Sequence, residues 1–357
     1  MNSKLKDSLR FTTFLLLFCL LFSYTTEVIS PKWTGKDNTN SRISTFYSQP
    51  KDSIDVLFVG ASSFRNGISP LRIWEKYGFT SYTRASAVQA PVVTYYYIVE
   101  ALKYQHPKVV VIDGVALSKY YDMDENEGFV RIATDPMRLS AEKIQLISEI
   151  VSSSEIQTLS SYLFPLLRYH TRWKEIVQND FEFYKTDNYD YLKGAYSDYR
   201  IVPLEKPKNY MQPSNKIAEY DETSLYYYEK IIQLCKENDI EIVFVTLPRF
   251  SWTYSMYIGI QQLSTKHDLL YLDYTLPEHL DTIGLDASSD FCYENHLNVY
   301  GAQKISKHLG AYLQETFDLP DKRNDPKYNQ WNIDLQIFNN QLIQEEINRL
   351  TEEKTEK

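Results

Sequence analysis

The sequence predicts an α/β fold: a mainly parallel sheet covered on both faces, carrying a helical insertion and an apolar helix at the N-terminus. Three observations predict it. Val109-Val110-Val111-Ile112 is a continuous apolar run, as in a strand buried on both faces. Short apolar segments of this kind alternate with helix-period segments. The alternation stops near Tyr120 and resumes at Glu222, which marks an insertion between two halves of one sheet.

Taken in order, Lys4, Lys6 and Arg10 precede the uncharged apolar run Phe11–Tyr24. A basic flank before such a run is the signature of an export signal or signal-anchor. A span needs about 20 residues, so Thr25, Thr26 and Val28 would extend this one. No small-x-small cleavage site follows, and bulky Phe18 spoils a lipobox before Cys19. The expectation is an uncleaved single-pass anchor over residues 1–29 with the bulk of the chain extracytoplasmic; secretion after cleavage is the alternative. Residues 30–52 are polar and read as a linker.

The α/β domain spans 53–320. Strand one is expected at Ile54–Val59 and ends abruptly at Gly60-Ala61-Ser62-Ser63. Ser69-Pro70 then starts a helix to about Tyr77. A short strand at Thr80–Arg84 and a helix near Thr94–Tyr104 lead to the strand Val109–Asp113. The insertion, about 120–222, offers helices at Ala141–Val151 and Leu159–Val177, the second broken at Pro165. It is expected to form a cap over the carboxyl edge of the sheet, with His170 or Trp173 facing Ser62. A helix at Glu222–Asn238, a strand at Glu241–Leu247, a helix near Ser255–His267 and a strand at Leu269–Asp273 follow. A helix from Val299 to Phe317 closes the domain, and residues 321–357 hold a last amphipathic helix, Asp334–Leu350, and a charged tail.

Composition narrows the function. A formal charge of −9 with no basic stripe argues against nucleic-acid binding. Thirty tyrosines and five tryptophans give rigid surface with polar handles, which suits sugar or polymer binding, although packing uses it equally. Cys19, Cys235 and Cys292 show no metal spacing, and only the last two are able to pair outside the apolar segment.

Small polar residues at the carboxyl end of a strand lie where open α/β sheets gather ligands. Ser62 or Ser63 would project there, unless the serines only satisfy a strand-to-helix turn. Far downstream, Asp290-Phe291-Cys292-Tyr293-Glu294-Asn295-His296-Leu297-Asn298 opens a helix. A serine needs an imidazole to accept its proton before it is a useful nucleophile. Gly60 and Ala61 lack bulk and would let backbone N–H groups approach a developing oxyanion. Arg249, just past a strand, suits a carboxylate or phosphate, or a surface ion pair.

The segments Phe58-Val59-Gly60-Ala61-Ser62-Ser63 and His296-Leu297-Asn298-Val299-Tyr300-Gly301-Ala302 resemble the SGNH/GDSL hydrolase superfamily. Within it they are similar to membrane-anchored envelope members related to the teichoic-acid D-alanylation exoprotein and the alginate O-acetylation proteins. Tyr169-His170-Thr171-Arg172-Trp173 and Lys193-Gly194 also look like these members. The resemblance implies a flavodoxin-like three-layer α/β/α fold, Ser62 as nucleophile and His296 as base. It groups Gly60, Ala61, Ser63, Gln89 and Asn298 with the oxyanion and substrate contacts, and His170, Arg172, Trp173 and Arg249 with the cleft. It calls for no metal or organic cofactor.

The chain departs from the family pattern at three places: Ala61 stands where Asp is frequent, Val111-Ile112-Asp113-Gly114 offers no Asn, and Tyr293 replaces the acid three residues before the histidine. Asp290, Tyr293 and Glu294 are the candidates to orient the imidazole. The implied function is a serine esterase or O-acyltransferase on acyl groups of a cell-envelope glycopolymer, a polysaccharide or teichoic-acid-like chain. The alternative is a non-catalytic exoprotein that partners a membrane-bound O-acyltransferase.

Overall fold

The computed structural model describes residues 3–33, 39–118, 120–182, 189–293 and 296–355. Five parallel strands form the central sheet: β1 (Val56–Gly60), β2 (Ser81–Ala85), β3 (Val109–Asp113), β4 (Glu241–Thr246) and β5 (Leu270–Asp273). Their order is β2-β1-β3-β4-β5. Every residue of β1, β2 and β3 is buried, as the apolar runs of β1 and β3 require; β2 is buried although it carries Ser81, Thr83 and Arg84. The order reverses between β1 and β3, and a crevice at that switch point is where such sheets bind ligands. A short antiparallel hairpin, β6 (Phe291–Tyr293) and β7 (His296–Leu297), lies outside the sheet.

The N-terminal helix α1 spans Ser3–Ile29, and α2 spans Thr39–Phe46. On one face of the sheet, α3 (Ser62–Gly67) and α4 (Pro70–Tyr77) follow β1, and α5 (Pro91–Ala101) follows β2 on the other. The insertion supplies α6 (Glu127–Thr134), α7 (Ala141–Ser152), α8 (Leu159–Leu163), α9 (Pro165–Tyr169) and α10 (Gln178–Glu182). The second half of the domain adds α11 (Glu222–Glu237), α12 (Tyr254–His267), α13 (Pro277–Ile283) and α14 (Val299–Phe317). The last helix, α15, runs Asn329–Thr355. Helices α4 and α14 pack together on one side, and α5, α7 and α11 on the other.

Two expectations change here. The polar stretch 30–52 is not all linker: α2 buries Ile43 and Phe46 against the sheet. Arg42 donates to the carbonyl of Ala85 at 3.0 Å and of Gly194 at 3.2 Å. The buried Arg84–Glu100 pair, 3.0 Å, sits with its guanidinium carbon 4.2 Å from the Phe46 ring centre and 4.5 Å from that of Tyr97. At the other end, α15 docks on α4 through Trp331, 5.3 Å from Trp74, and through buried Phe338. The amphipathic pattern of this helix puts Ile343 and Ile347 with Leu335, Phe338 and Leu342 on one face, yet Ile343 and Ile347 are exposed. Cys235 and Cys292 are buried and free, so no disulfide joins them.

Candidate active site

Ser62 opens α3 immediately after β1, and His296 stands on β7 just before α14. The two meet: Ser62 Oγ lies 2.8 Å from His296 Nε2. That is hydrogen-bonding reach for a nucleophile and its base. Both side chains are half-buried, so the pair is reachable from solvent.

Close backbone approaches set this geometry. A Cβ on Gly60 would collide with Asp113 Cβ on the neighbouring strand, so glycine lets the ends of β1 and β3 close together at the switch point. A Cβ on Gly301 would stand 2.5 Å from the Asp290 carbonyl and 2.9 Å from Leu297 Cδ2. Its absence seats α14 against the chain that carries His296.

The two serines divide. Ser63 Oγ donates to Asp113 Oδ2, and the Val115 N–H donates to Oδ1 at 3.0 Å. Burial pushes the Asp113 carboxyl above its ordinary value; the Ser63 and Val115 bonds, the Arg249 charge and the Ala61 N–H oppose that rise. Ser63 therefore serves Asp113, and Ser62 alone faces the imidazole. The first-turn N–H groups of α3, at Ser62, Ser63 and Phe64, have no intrahelical acceptor. They lie at the strand end that carries Ser62, and backbone donors there suit a developing oxyanion.

Tyr293 packs face to face on His296, ring centres 4.6 Å apart and planes 15° apart. Arg65 Nη2 reaches its hydroxyl at 3.5 Å, and the Arg200 guanidinium carbon lies 5.3 Å from its ring centre. Arg200 is held by Asp198 at 2.9 Å. Burial pushes the Asp198 carboxyl up, but its bonds from Arg200 outweigh this and leave it below the usual range. Tyr196 donates its N–H to the Arg65 carbonyl at 2.8 Å and lies 5.4 Å under the Arg65 guanidinium. The chain after α10 thus reaches the site through Tyr196, Asp198 and Arg200.

Several expected site residues lie elsewhere. Asn298 caps α14, accepting from the N–H groups of Tyr300 and Gly301 while its amide donates to three carbonyls. Gln89 is buried in its own turn, bonded to Ser86 and Thr94. Asp290 gives its carboxylate to Lys304 at 2.7 Å and to the Asp286 N–H at 2.6 Å, not to the imidazole. Glu294 lies outside the described residues. His170 is exposed and, among the described residues, hydrogen-bonds the Leu167 carbonyl. Arg172 holds carbonyls at the end of α1, and Trp173, 62% exposed, lies on the turn 170–174 that packs against α1 and α9.

Arg249 is half-buried, acts on Asp113 by its charge, and forms no ion pair among the described residues. Beside the site, Cys292 Sγ donates to the carbonyls of His296 and Leu297, 3.4 Å each. Burial pushes its thiol up to about 12, which removes it as a rival nucleophile at neutral pH. The sequence marks Asp113 as a helix N-cap or an acid behind the site, and it bonds the Val115 N–H and Ser63, whereas the Arg65–Tyr196 and Asp198–Arg200 contacts were missed. An acid ending the strand beside β1 was the one available signal for Asp113.

No family model and no curated protein matches the chain. Two solved structures are similar to it. One is a candidate acylhydrolase from Bacteroides fragilis, 11% identical, TM-score 0.36, matched over 77% of this chain and 95% of that one. The other is a GDSL-like lipase from Bacteroides thetaiotaomicron, 9% identical, TM-score 0.35, matched over 78% and 98%. Overlap this loose transmits neither a site nor a reaction from those chains to this one.

Proposed function

We propose that this protein is an extracytoplasmic, membrane-tethered serine esterase or O-acyltransferase of the SGNH kind, acting on acyl groups of a cell-envelope glycopolymer. The 2.8 Å contact between Ser62 Oγ and His296 Nε2 carries the reading. Ser62 Oγ attacks the acyl carbonyl and gives its proton to His296. The bond from acyl carbon to the departing oxygen breaks, and His296 returns the proton to that alkoxide. Water or an acceptor hydroxyl then takes the acyl group from Ser62 by the same route. The N–H groups at the start of α3 are the donors this reading assigns to the tetrahedral oxyanion.

One observation favours a second reading, a non-catalytic exoprotein that partners a membrane-bound O-acyltransferase. Tyr293 covers the imidazole where the resembled family places an acid. A fluorophosphonate probe followed by peptide mass spectrometry separates the two. The enzyme reading expects label on Ser62, lost in both Ser62→Ala and His296→Ala. A folded wild-type protein that takes no label at Ser62 overturns it in favour of the partner role.

A further inference from the structure

Large apolar side chains crowd one exposed segment of the insertion. Ile156, Phe164, Leu167, Trp173, Val177 and Phe181 are 68%, 49%, 58%, 62%, 59% and 43% exposed. Scattered exposed apolar residues need no explanation, but a cluster this dense marks a surface that water does not cover. None of these residues approaches Ser62.

What they approach is the end of α1. Within the helix Lys4–Ile29 an 18-residue stretch has a mean hydropathy of 1.7, long and apolar enough to cross a membrane, and only 11% of that stretch is buried. Along the helix Phe22, Thr25 and Thr26 are half-buried, and only Val28 and Ile29 are fully buried. There α9, α10 and the turn 170–174 gather around it. The Phe22 and Phe164 ring centres are 6.5 Å apart, and Phe18, Phe22, Phe164, Leu166 and Leu167 line a wholly apolar groove of about 380 Å³. Arg172 Nη1 donates to the carbonyls of Val28, Ile29 and Ser30 at 3.3, 3.0 and 3.5 Å. Its other nitrogen is fixed to buried Asp180 at 2.6 Å.

We propose that residues 156–181 form a foot that rests in the outer boundary of the lipid bilayer, where α1 leaves it. This rests on reading α1 as a span. A helix with a hydrocarbon core of about 30 Å exits near its last turns, the level at which this segment is fastened. The composition suits that level. Tryptophan belongs at the boundary between headgroup and acyl chain, and Lys174 beside it carries a cationic head on a long stem that suits phosphate, whereas Arg168 is committed to Glu127 at 2.8 and 3.1 Å. Lys174 Nζ lies 5.6 Å from the Trp173 ring centre. The apolar groove is continuous with the lipid-facing flank of α1, so acyl chains fill it without displacing protein.

The test uses the full chain in phospholipid vesicles, with Cys19→Ser removing the one exposed native thiol. Leu167→Cys and Val177→Cys are labelled with an environment-sensitive NBD dye, and Ile343→Cys on α15 serves as the exposed control. Carbonate washing reports separately whether α1 is inserted. The foot predicts blue-shifted emission at 167 and 177 that brominated lipid quenches, with 343 aqueous and unquenched. If α1 resists washing while 167 and 177 report water as 343 does, the foot is wrong and a protein partner covers that face. If washing strips the protein from the vesicles, the anchor reading falls and takes the foot with it.

Discussion

The phenol ring of Tyr293 lies flat on the imidazole of His296. An imidazole N–H points in the ring plane, whereas a stacked ring sits above it. Tyr293 therefore steadies the plane of His296 without supplying the carboxylate that stabilises an imidazolium. A pair of this kind is worth about 0.5–1.5 kcal/mol beyond area burial. The substitution at this position exchanges charge for packing.

Tyr293→Asp should raise kcat on a small acyl ester by at least about ten-fold, within the ~10⁴ that an orienting aspartate is worth. Tyr293→Phe, which keeps the stack, should leave kcat near wild type. Steady-state kinetics on p-nitrophenyl acetate checks both, and an inert Tyr293→Asp would mean that charge beside His296 does not limit the reaction.

Ser62→Ala should abolish esterase activity at little cost in stability. Ser63→Ala should do the reverse: labelling of Ser62 persists, while Asp113 loses a partner at a cost of about 1–3 kcal/mol. Urea melts run alongside probe labelling would expose the division, and identical behaviour of the two variants would contradict it.

Burial raises the Asp113 carboxyl, so folding favours its protonated form. The resulting stability is complete below the unfolded-state value, about 3.9, and is lost as pH rises through the folded-state value. Asp113→Asn is neutral throughout. The wild type's advantage over this variant should shrink as pH rises, read as Tm for both proteins across the acidic to neutral range. An advantage that grows with pH would mean that Asp113 is stabilised as a carboxylate.

Lys193 and Asp334 form a fully buried ion pair, side chains 1% and 0% exposed, joining the insertion to α15. Removing one partner strands a charge, at about 3–5 kcal/mol, whereas an apolar pair of similar volume is often neutral. Lys193→Met should unfold at much lower urea than wild type, and Lys193→Met with Asp334→Leu should recover most of the loss. A double variant no better than the single would place the cost in packing rather than in charge.

Much of the sheet was legible because buried parallel strands cannot alternate. The run Val109–Asp113 is β3 to the residue, and Pro70 started α4 where proline is tolerated. Ser62 and His296 were legible because each adjoins an element boundary at one edge of the sheet. The short helix α2 was not: eight residues present too few turns for a period, and its apolar face is completed by Arg42 and Arg84 contacts from distant chain. Nor was the role of the insertion. Which of its segments touches Ser62 is decided by long-range packing, and His170 and Trp173 sit with α1 while Tyr196 and Arg200 sit with Tyr293.

On the proposed membrane-tethered reading, the clasp of Arg172 on the last carbonyls of α1 turns an anchor into a fixed mount. A domain on a slack leash sweeps a hemisphere and meets polymer at any distance its leash allows. A domain gripped at the point where its own helix emerges has one altitude and one tilt. On the proposed function, acyl groups would have to be presented to Ser62 at that altitude, and the clasp would act as a ruler that selects substrate by how far it stands from the bilayer.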